Sequence, residues 1–131
     1  MTTRRASCSC GRLTATTKGE PVRISICHCL DCQRRTGSAF GEQARFPASE
    51  VGIEGRSESW VRIADSGKGI TFHFCPTCGS TVFYRPDQEP YLIAIPVGAF
   101  ADPMFPAPKV SVYESRRHSW VTIPVDMEHF D

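Results

Sequence analysis

The stretch Cys75-Pro76-Thr77-Cys78-Gly79 places two thiols three residues apart, with a glycine directly after the second. This spacing is typical of a zinc knuckle, a turn in which both sulfurs face one metal ion and the glycine permits a close backbone approach. A knuckle supplies two ligands, whereas a tetrahedral structural zinc needs four. The stretch therefore predicts a second pair of cysteines elsewhere in the chain and a fold that metal holds together.

The other five cysteines lie in two clusters. They are Cys8 and Cys10 near the N-terminus, and Cys27, Cys29 and Cys32 in the motif Cys-His-Cys-x-x-Cys. The segment Cys8-x-Cys10-Gly11 also ends with a glycine after its last thiol. We therefore predict one structural zinc bound by Cys8, Cys10, Cys75 and Cys78, with free buried cysteines as the less favoured alternative.

Disulfide bonds explain these clusters less well. The chain has seven cysteines, so one would stay unpaired. No apolar segment follows the basic N-terminus, Met1–Arg5, so we expect no secretory signal and a cytoplasmic location where thiols stay reduced. No apolar run approaches the roughly 20 residues of a membrane span, so no membrane partner is expected. A formal net charge of +1 argues against a nucleic-acid partner.

Short segments in which apolar and polar residues alternate predict an all-β fold, in a single domain over residues 1–131. The segments are 22–26, 60–63, 70–74, 81–84, 91–95 and 110–113. Residues 65–69 are expected to form a hairpin loop, and Pro103–Pro108 an extended loop. Trp60 and Trp120 are expected in the core or in the wall of a pocket.

The central cluster offers three sulfurs and no obvious fourth ligand. If Cys27 and Cys29 end a strand and Cys32 lies on a helical turn over Leu30–Arg35, all three can face one ion. In extended chain His28 would point the opposite way, so a supporting or surface role suits it better than ligation. An open coordination position is typical of a catalytic zinc.

A second structural zinc is the alternative for this cluster. His28, His73, Asp31 or a more distant residue would then close the site, since structural sites of three cysteines and one histidine are common. If the position is open, three thiolates make the metal a weak Lewis acid for water but still able to hold an exogenous thiol as thiolate. Such a thiolate is a nucleophile for a small aldehyde. The chemistry therefore favours thiol activation over hydrolysis.

Together these motifs resemble the glutathione-dependent formaldehyde-activating enzyme family, which includes the centromere protein V group. The resemblance covers nearly the whole chain. The matching segments are Cys-x-Cys-Gly at 8–11, Cys-His-Cys-x-x-Cys at 27–32 with Gly37-Ser38-Ala39-Phe40 after it, Phe-Cys-Pro-x-Cys-Gly at 74–79, 97–103, and Ser119-Trp120.

The resemblance implies a small β-tent fold with two zinc ions. The family's structural zinc is held at the positions of Cys8, Cys10, Cys75 and Cys78. Its catalytic zinc is held at the positions of Cys27, Cys29 and Cys32. The implied activity joins the glutathione thiol to formaldehyde as S-hydroxymethylglutathione, or cleaves that adduct as a carbon–sulfur lyase.

Glutathione carries two carboxylates, for which arginine is the matching partner. Arg34 and Arg35 directly follow the central cluster, and we predict that one of them orients an anionic thiol there. Arg45, Arg116 and Arg117 are further candidates. The rival functions are a zinc-stabilised binding module with a structural second zinc, and a thiol or metal sensor.

Overall fold

A computed structural model describes residues 1–131 and contains eleven strands and one α-helix. The helix α1 is Leu30–Thr36, and three short 3-10 turns lie at Ala48–Glu50, Val97–Phe100 and Glu114–Arg116. The strands are β1 (Thr3–Ser7), β2 (Thr14–Lys18), β3 (Arg23–Cys27), β4 (Gly41–Pro47), β5 (Val51–Glu54), β6 (Glu58–Ile63), β7 (Gly69–Phe74), β8 (Thr81–Pro86), β9 (Leu92–Pro96), β10 (Val110–Val112) and β11 (Glu128–His129). The all-β prediction is confirmed.

The strands form two sheets. Three strands make the smaller one, in the order β1-β2-β5, and eight make the larger one, in the order β11-β10-β3-β4-β9-β8-β7-β6. Most neighbours are antiparallel, but β10 runs parallel to both β3 and β11. This parallel pairing brings the C-terminal part of the chain against β3, the strand that ends at the central cysteines.

The main core lies between the two sheets. Ala6 and Leu13 come from the β1–β2 region, and Ile24, Phe46 and Ile95 from the larger sheet, all almost completely buried. Burying one such large side chain contributes about 1.5–3 kcal/mol. Because strand side chains alternate between faces, the odd-numbered residues of β3 lie on the opposite face of the larger sheet.

Helix α1 begins directly after Cys29, whose sulfur accepts a hydrogen bond from the Cys32 amide at 3.3 Å. It ends at Thr36, and the φ of 65° at the following Gly37 is the left-handed conformation common after a helix C-terminus. The predicted helical turn is thus confirmed and is one residue longer than expected. No helix of the structure has the length and apolar character that a membrane crossing requires.

Five strands, β1, β2, β4, β5 and β11, were not predicted from the sequence. Strands β1 and β2 are rich in threonine and arginine, while β4 carries Glu42, Gln43 and Arg45 among its seven residues. Their register depends on long-range pairing rather than on a visible alternation of apolar residues. The expectation that Trp120 lies in the core or in a pocket wall is wrong, since this side chain is 71% exposed and belongs to no core cluster.

Candidate functional site

Four cysteines from distant parts of the chain meet where the smaller sheet approaches the β7–β8 turn. The sulfurs of Cys8, Cys10, Cys75 and Cys78 all lie within 4.8 Å of one another. The Cys8–Cys10 and Cys10–Cys75 sulfur separations are both 3.6 Å. A disulfide would bring sulfurs to about 2.05 Å, whereas a tetrahedral zinc with bonds of about 2.3 Å separates them by roughly 3.8 Å. The cluster fits a metal ion and contains no disulfide.

Backbone amides surround this four-cysteine cluster as they do in metal knuckles. The Leu13 amide donates to the Cys8 sulfur at 3.2 Å, and the Thr77 amide donates to the Cys75 sulfur at 3.4 Å. Backbone hydrogen bonds, chiefly from Ser80, lower the pKa of Cys78 to about 5, so this sulfur is a thiolate at neutral pH. Thiolate is the form that binds zinc.

Gly79 and Gly11, which follow the two cysteine pairs, are required for their backbone conformation and not, as expected, for a close backbone approach. No atom lies within 4 Å of a Cβ placed on Gly79 or Gly11, so neither keeps space free for a close approach. Their φ values of +82° and +84° are the requirement, since glycine adopts this backbone conformation without strain.

Three cysteines meet at the carboxyl end of β3. Cys27 is the last residue of β3, Cys29 precedes α1, and Cys32 lies in the first turn of α1. Their sulfurs all lie within 4.8 Å of one another. As free thiols, Cys27 and Cys32 donate hydrogen bonds that lower the pKa of Cys29, and the positive charge of Arg62 acts in the same direction. The pKa of Cys27 is correspondingly raised by its interaction with Cys29. Three sulfur ligands in this arrangement suit a cation that prefers soft ligands.

No histidine, aspartate or glutamate joins this three-cysteine cluster within the same 4.8 Å. His28 points away from it and is fully buried, with its Nε2 atom 3.0 Å from the Ser111 hydroxyl. His73 stacks on Phe83 with a centroid separation of 4.4 Å. The Asp31 carboxylate lies 3.9 Å from the guanidinium groups of both Arg34 and Arg62. The residues that would have closed a second structural site are therefore placed elsewhere or occupied with other partners.

The three-cysteine cluster opens into a cavity of about 250 Å³. Residues of the larger sheet line the part of the cavity that we call its floor, and residues of α1, of the β6–β7 and β8–β9 loops and Tyr113 line the rest. The lining side chains that carry charge or a thiol are Arg23, Cys27, Cys29, Asp31, Cys32, Arg35, Arg45, Arg62, Asp65, Lys68 and Glu89. Five of them are cationic and three acidic, so the cavity is more positive than the chain as a whole.

The two arginines expected from the sequence lie in different places. Arg35 lines the cavity, with its guanidinium 4.9 Å from the Phe72 ring centre and 5.3 Å from that of Tyr84. Arg34 points outward with a side chain that is 82% exposed, and it borders a shallow depression beside Trp60. Only Arg35 of this pair is therefore in a position to meet a ligand beside the cysteines.

Arg45 also lines the cavity, as one of the further candidates, whereas Arg116 and Arg117 do not. Arg23 and Arg62 line it too but carried no signal in the sequence. Arg23 lies on β3 and Arg62 on β6, where successive side chains point to opposite faces of the sheet. The sequence alone does not show which of the two faces will line a cavity. Their place in the site depends on the order of strands in the larger sheet.

Comparisons with known proteins agree with the cysteine motifs. The family model described as "Glutathione-dependent formaldehyde-activating enzyme" matches residues 3–116. A crystal structure of a Rhodobacter sphaeroides protein matches with a TM-score of 0.55 and 18% identity, over 72% of this chain and 85% of that one, which is a likeness of fold. No curated protein matches significantly. Since the family model spans most of its length, this chain belongs to the glutathione-dependent formaldehyde-activating enzyme family.

Proposed function

We propose that this protein is a zinc-dependent carbon–sulfur lyase that forms or cleaves the adduct of a thiol and a small aldehyde, such as S-hydroxymethylglutathione. One observation carries the proposal. The three sulfurs of Cys27, Cys29 and Cys32 open directly into a cationic cavity and have no fourth protein ligand among the nearby histidines and carboxylates. A structural site would be closed, whereas a site for chemistry keeps a position for the substrate.

In this proposal the two clusters divide their roles. Cys8, Cys10, Cys75 and Cys78 hold a structural zinc, and Cys27, Cys29 and Cys32 hold a catalytic one. A zinc ion held by Cys27, Cys29 and Cys32 would supply a position at which an exogenous thiol stays deprotonated at neutral pH. Both clusters need reduced thiols, which suits the cytoplasm. We further propose that residues 1–131 act as a single domain.

The reaction balances without an oxidant or reductant. The substrate sulfur forms a bond to the aldehyde carbon, and the carbonyl π bond breaks. The proton that the thiol loses is matched by the proton that the new hydroxyl gains, and the reverse reaction returns it. The protein's own contribution is to gather and orient the two molecules in a cavity of limited volume.

Arg35 is the residue placed to orient an anionic thiol at the cysteines. Its guanidinium lies over two aromatic rings, which hold its stem in place and leave its N–H groups free for a carboxylate. The buried Nε atom of Arg35 has no hydrogen-bond partner in the protein. The exposed position of Arg34 makes it the weaker candidate of the two.

The test combines zinc quantification with NMR exchange spectroscopy of glutathione and formaldehyde. We expect two zinc ions per chain and an exchange rate well above that of buffer alone. Cys29→Ser should abolish the acceleration and lower the zinc content to one. Arg35→Gln should weaken glutathione binding about tenfold, as expected for one lost charge-assisted contact.

Arg56→Gln is the matched control, because Arg56 is exposed and lies outside the cavity. It should bind glutathione as the unaltered protein does. Two bound zinc ions with exchange no faster than in buffer would contradict the enzyme. That result would favour a zinc-stabilised binding module or a thiol sensor instead.

A further inference from the structure

The floor of the cavity contains an arginine pair that lies apart from the cysteines. Arg23 on β3 and Arg45 on β4 are direct cross-strand partners, and both line the cavity. Residues in such positions have Cβ atoms about 4.5–5.5 Å apart, and two like charges there destabilise the sheet. The repulsion between these two arginines must therefore be offset by some other interaction.

No acidic side chain forms a direct ion pair with either arginine of this pair. Neither arginine forms an ion pair within 4.0 Å, and the Nε atom of each is buried without a hydrogen-bond partner. Glu89 and Glu128 act on the charge of Arg23 only from a longer distance. Burial and the charge of Arg45 both lower the pKa of Arg23, so the two guanidinium groups meet an unfavourable environment when no anion is present.

A second unsatisfied group lies between the arginine pair and the cysteines. Ser25 and Gln43 form the next cavity-facing cross-strand pair along β3 and β4. The Gln43 amide nitrogen donates to the Ser25 hydroxyl at 2.6 Å, while its Oε1 atom is buried without a partner. Gln43 lines the cavity and is only 6% exposed, so a rotation of its side-chain amide would present this unpaired acceptor to a molecule inside the cavity.

These groups lie in a row along one face of β3. Arg23, Ser25 and Cys27 alternate with the buried residues Ile24 and Ile26, and Cys27 is four positions after Arg23. A strand rises about 3.3 Å per residue, so the arginine pair and the cysteines are separated by about 13 Å along the backbone. A ligand that reaches both ends must be extended, with a hydrogen-bond donor in its middle.

We propose that Arg23 and Arg45 together bind one anionic end group of an extended thiol substrate, a carboxylate or a phosphate, and that Gln43 accepts a hydrogen bond from the part of the substrate between that group and the thiol. Two guanidinium groups can share one carboxylate or one phosphate, because its oxygens accept hydrogen bonds from both arginines. The proposal extends the proposed function, on which the thiol end of the ligand rests. The anion site itself rests only on the arginine pair.

The first experiment titrates the zinc-loaded protein with inorganic pyrophosphate and phosphate by calorimetry. We expect binding that Arg23→Gln and Arg45→Gln each weaken about tenfold or more. Arg56→Gln should bind as the unaltered protein does. Absence of anion binding, or equal binding by the arginine variants, would overturn the proposal. Because inorganic phosphate and pyrophosphate contain no thiol, this result is independent of whether the lyase activity exists.

The second experiment compares three thiols: glutathione, 4′-phosphopantetheine and the uncharged 2-mercaptoethanol. The arginine variants should raise the dissociation constant of the charged thiol about tenfold and leave that of 2-mercaptoethanol unchanged. Selective loss of glutathione binding identifies the carboxylate source, and selective loss of phosphopantetheine binding identifies the phosphate source. Equal loss for 2-mercaptoethanol would show a general disturbance of the cavity and contradict the proposal.

Thermal unfolding tests whether a loss of anion binding comes from misfolding of the variants. Arg23→Met keeps an apolar stem and removes one of two opposed charges, so without anion its midpoint should equal or exceed that of the unaltered protein. Pyrophosphate should raise the midpoint of the unaltered protein and not that of Arg23→Met. A lower midpoint for Arg23→Met in the absence of anion would assign the arginine a structural role and overturn the proposal.

Discussion

His28 and Ser111 form a buried hydrogen bond that ties the three-cysteine cluster to the C-terminal part of the sheet. The His28 Nε2 and Ser111 Oγ atoms are 3.0 Å apart, and both residues are fully buried. His28 lies between two of the cluster's cysteines, whereas Ser111 is the middle residue of β10. The parallel pairing of β3 with β10 is therefore reinforced by a side-chain contact directly beneath the cysteines.

Ser111→Ala should lower the free energy of unfolding by about 1–3 kcal/mol, because it leaves the buried His28 Nε2 atom without a partner. Burial lowers the pKa of His28, so protonation does not relieve this cost near neutral pH. Denaturant unfolding of the zinc-loaded protein measures the change. The double variant with His28→Phe should cost less than the sum of the two single changes. Ser38→Ala, at an exposed serine whose side chain makes no hydrogen bond, should stay within about 0.5 kcal/mol.

The cysteine motifs predicted far more of this molecule than the strand patterns did. Spacing of two or three residues limits where thiols can point, so each cysteine pair and the triplet were visible in the sequence, whereas the meeting of Cys8 and Cys10 with Cys75 and Cys78 was a preferred pairing that the structure brings together. The floor of the cavity was not. Arg23 and Arg62 join the site only through the order β3-β4-β9-β8-β7-β6, and that order depends on contacts between residues far apart in the chain. Local alternation contains no information about such neighbours.

Gly55→Ala should lower the free energy of unfolding by about 2–3 kcal/mol. A Cβ at this position would lie 1.9 Å from the carbonyl oxygen of Arg12, and the φ of Gly55 is +101°. The contact holds the end of β5 against the loop that leads from Cys10 into β2. Gly52→Ala is the matched control, since no atom lies within 4 Å of its Cβ and its backbone is that of a strand. Denaturant unfolding of both variants provides the comparison, and equal stability would contradict the expected clash.

Removing one thiol from each cluster should have unequal effects on stability. Cys78→Ser and Cys29→Ser should each lower the zinc content from two ions per chain to one. We expect Cys78→Ser to lower the melting midpoint by more than about 10 °C, because the four-cysteine cluster joins the two sheets and its metal contributes to folding. Cys29→Ser should lower it far less, since β3 and α1 are also held by hydrogen bonds and by the core. Calorimetry with zinc analysis measures both, and an equal fall in the two midpoints would contradict the division of roles.

His129→Gln should destabilise the protein over a limited pH range. The His129 Nδ1 atom lies 2.6 Å from the Glu114 carboxylate, and this hydrogen bond raises the pKa of His129. Burial acts to raise the pKa of Glu114, but hydrogen bonds from Ser111 and His129 outweigh it and lower that pKa. The contact helps to hold β11 against β10, where the Glu114 amide also donates to the Phe130 carbonyl.

The signs of these two shifts define the pH range. A raised histidine pKa contributes stability that is complete below the unfolded value of about 6.5 and is lost as pH rises through the folded value. A lowered carboxyl pKa contributes stability that is present above the unfolded value of about 4.3 and is lost as pH falls through the folded value. The difference in unfolding free energy between the unaltered protein and His129→Gln should therefore be largest between about pH 5 and 6 and vanish well above pH 7. Subtracting the unfolding free energies of the two proteins cancels any effect of zinc loss in acid that both share. A difference that stays constant from pH 5 to 9 would show that His129 acts through packing rather than through its charge.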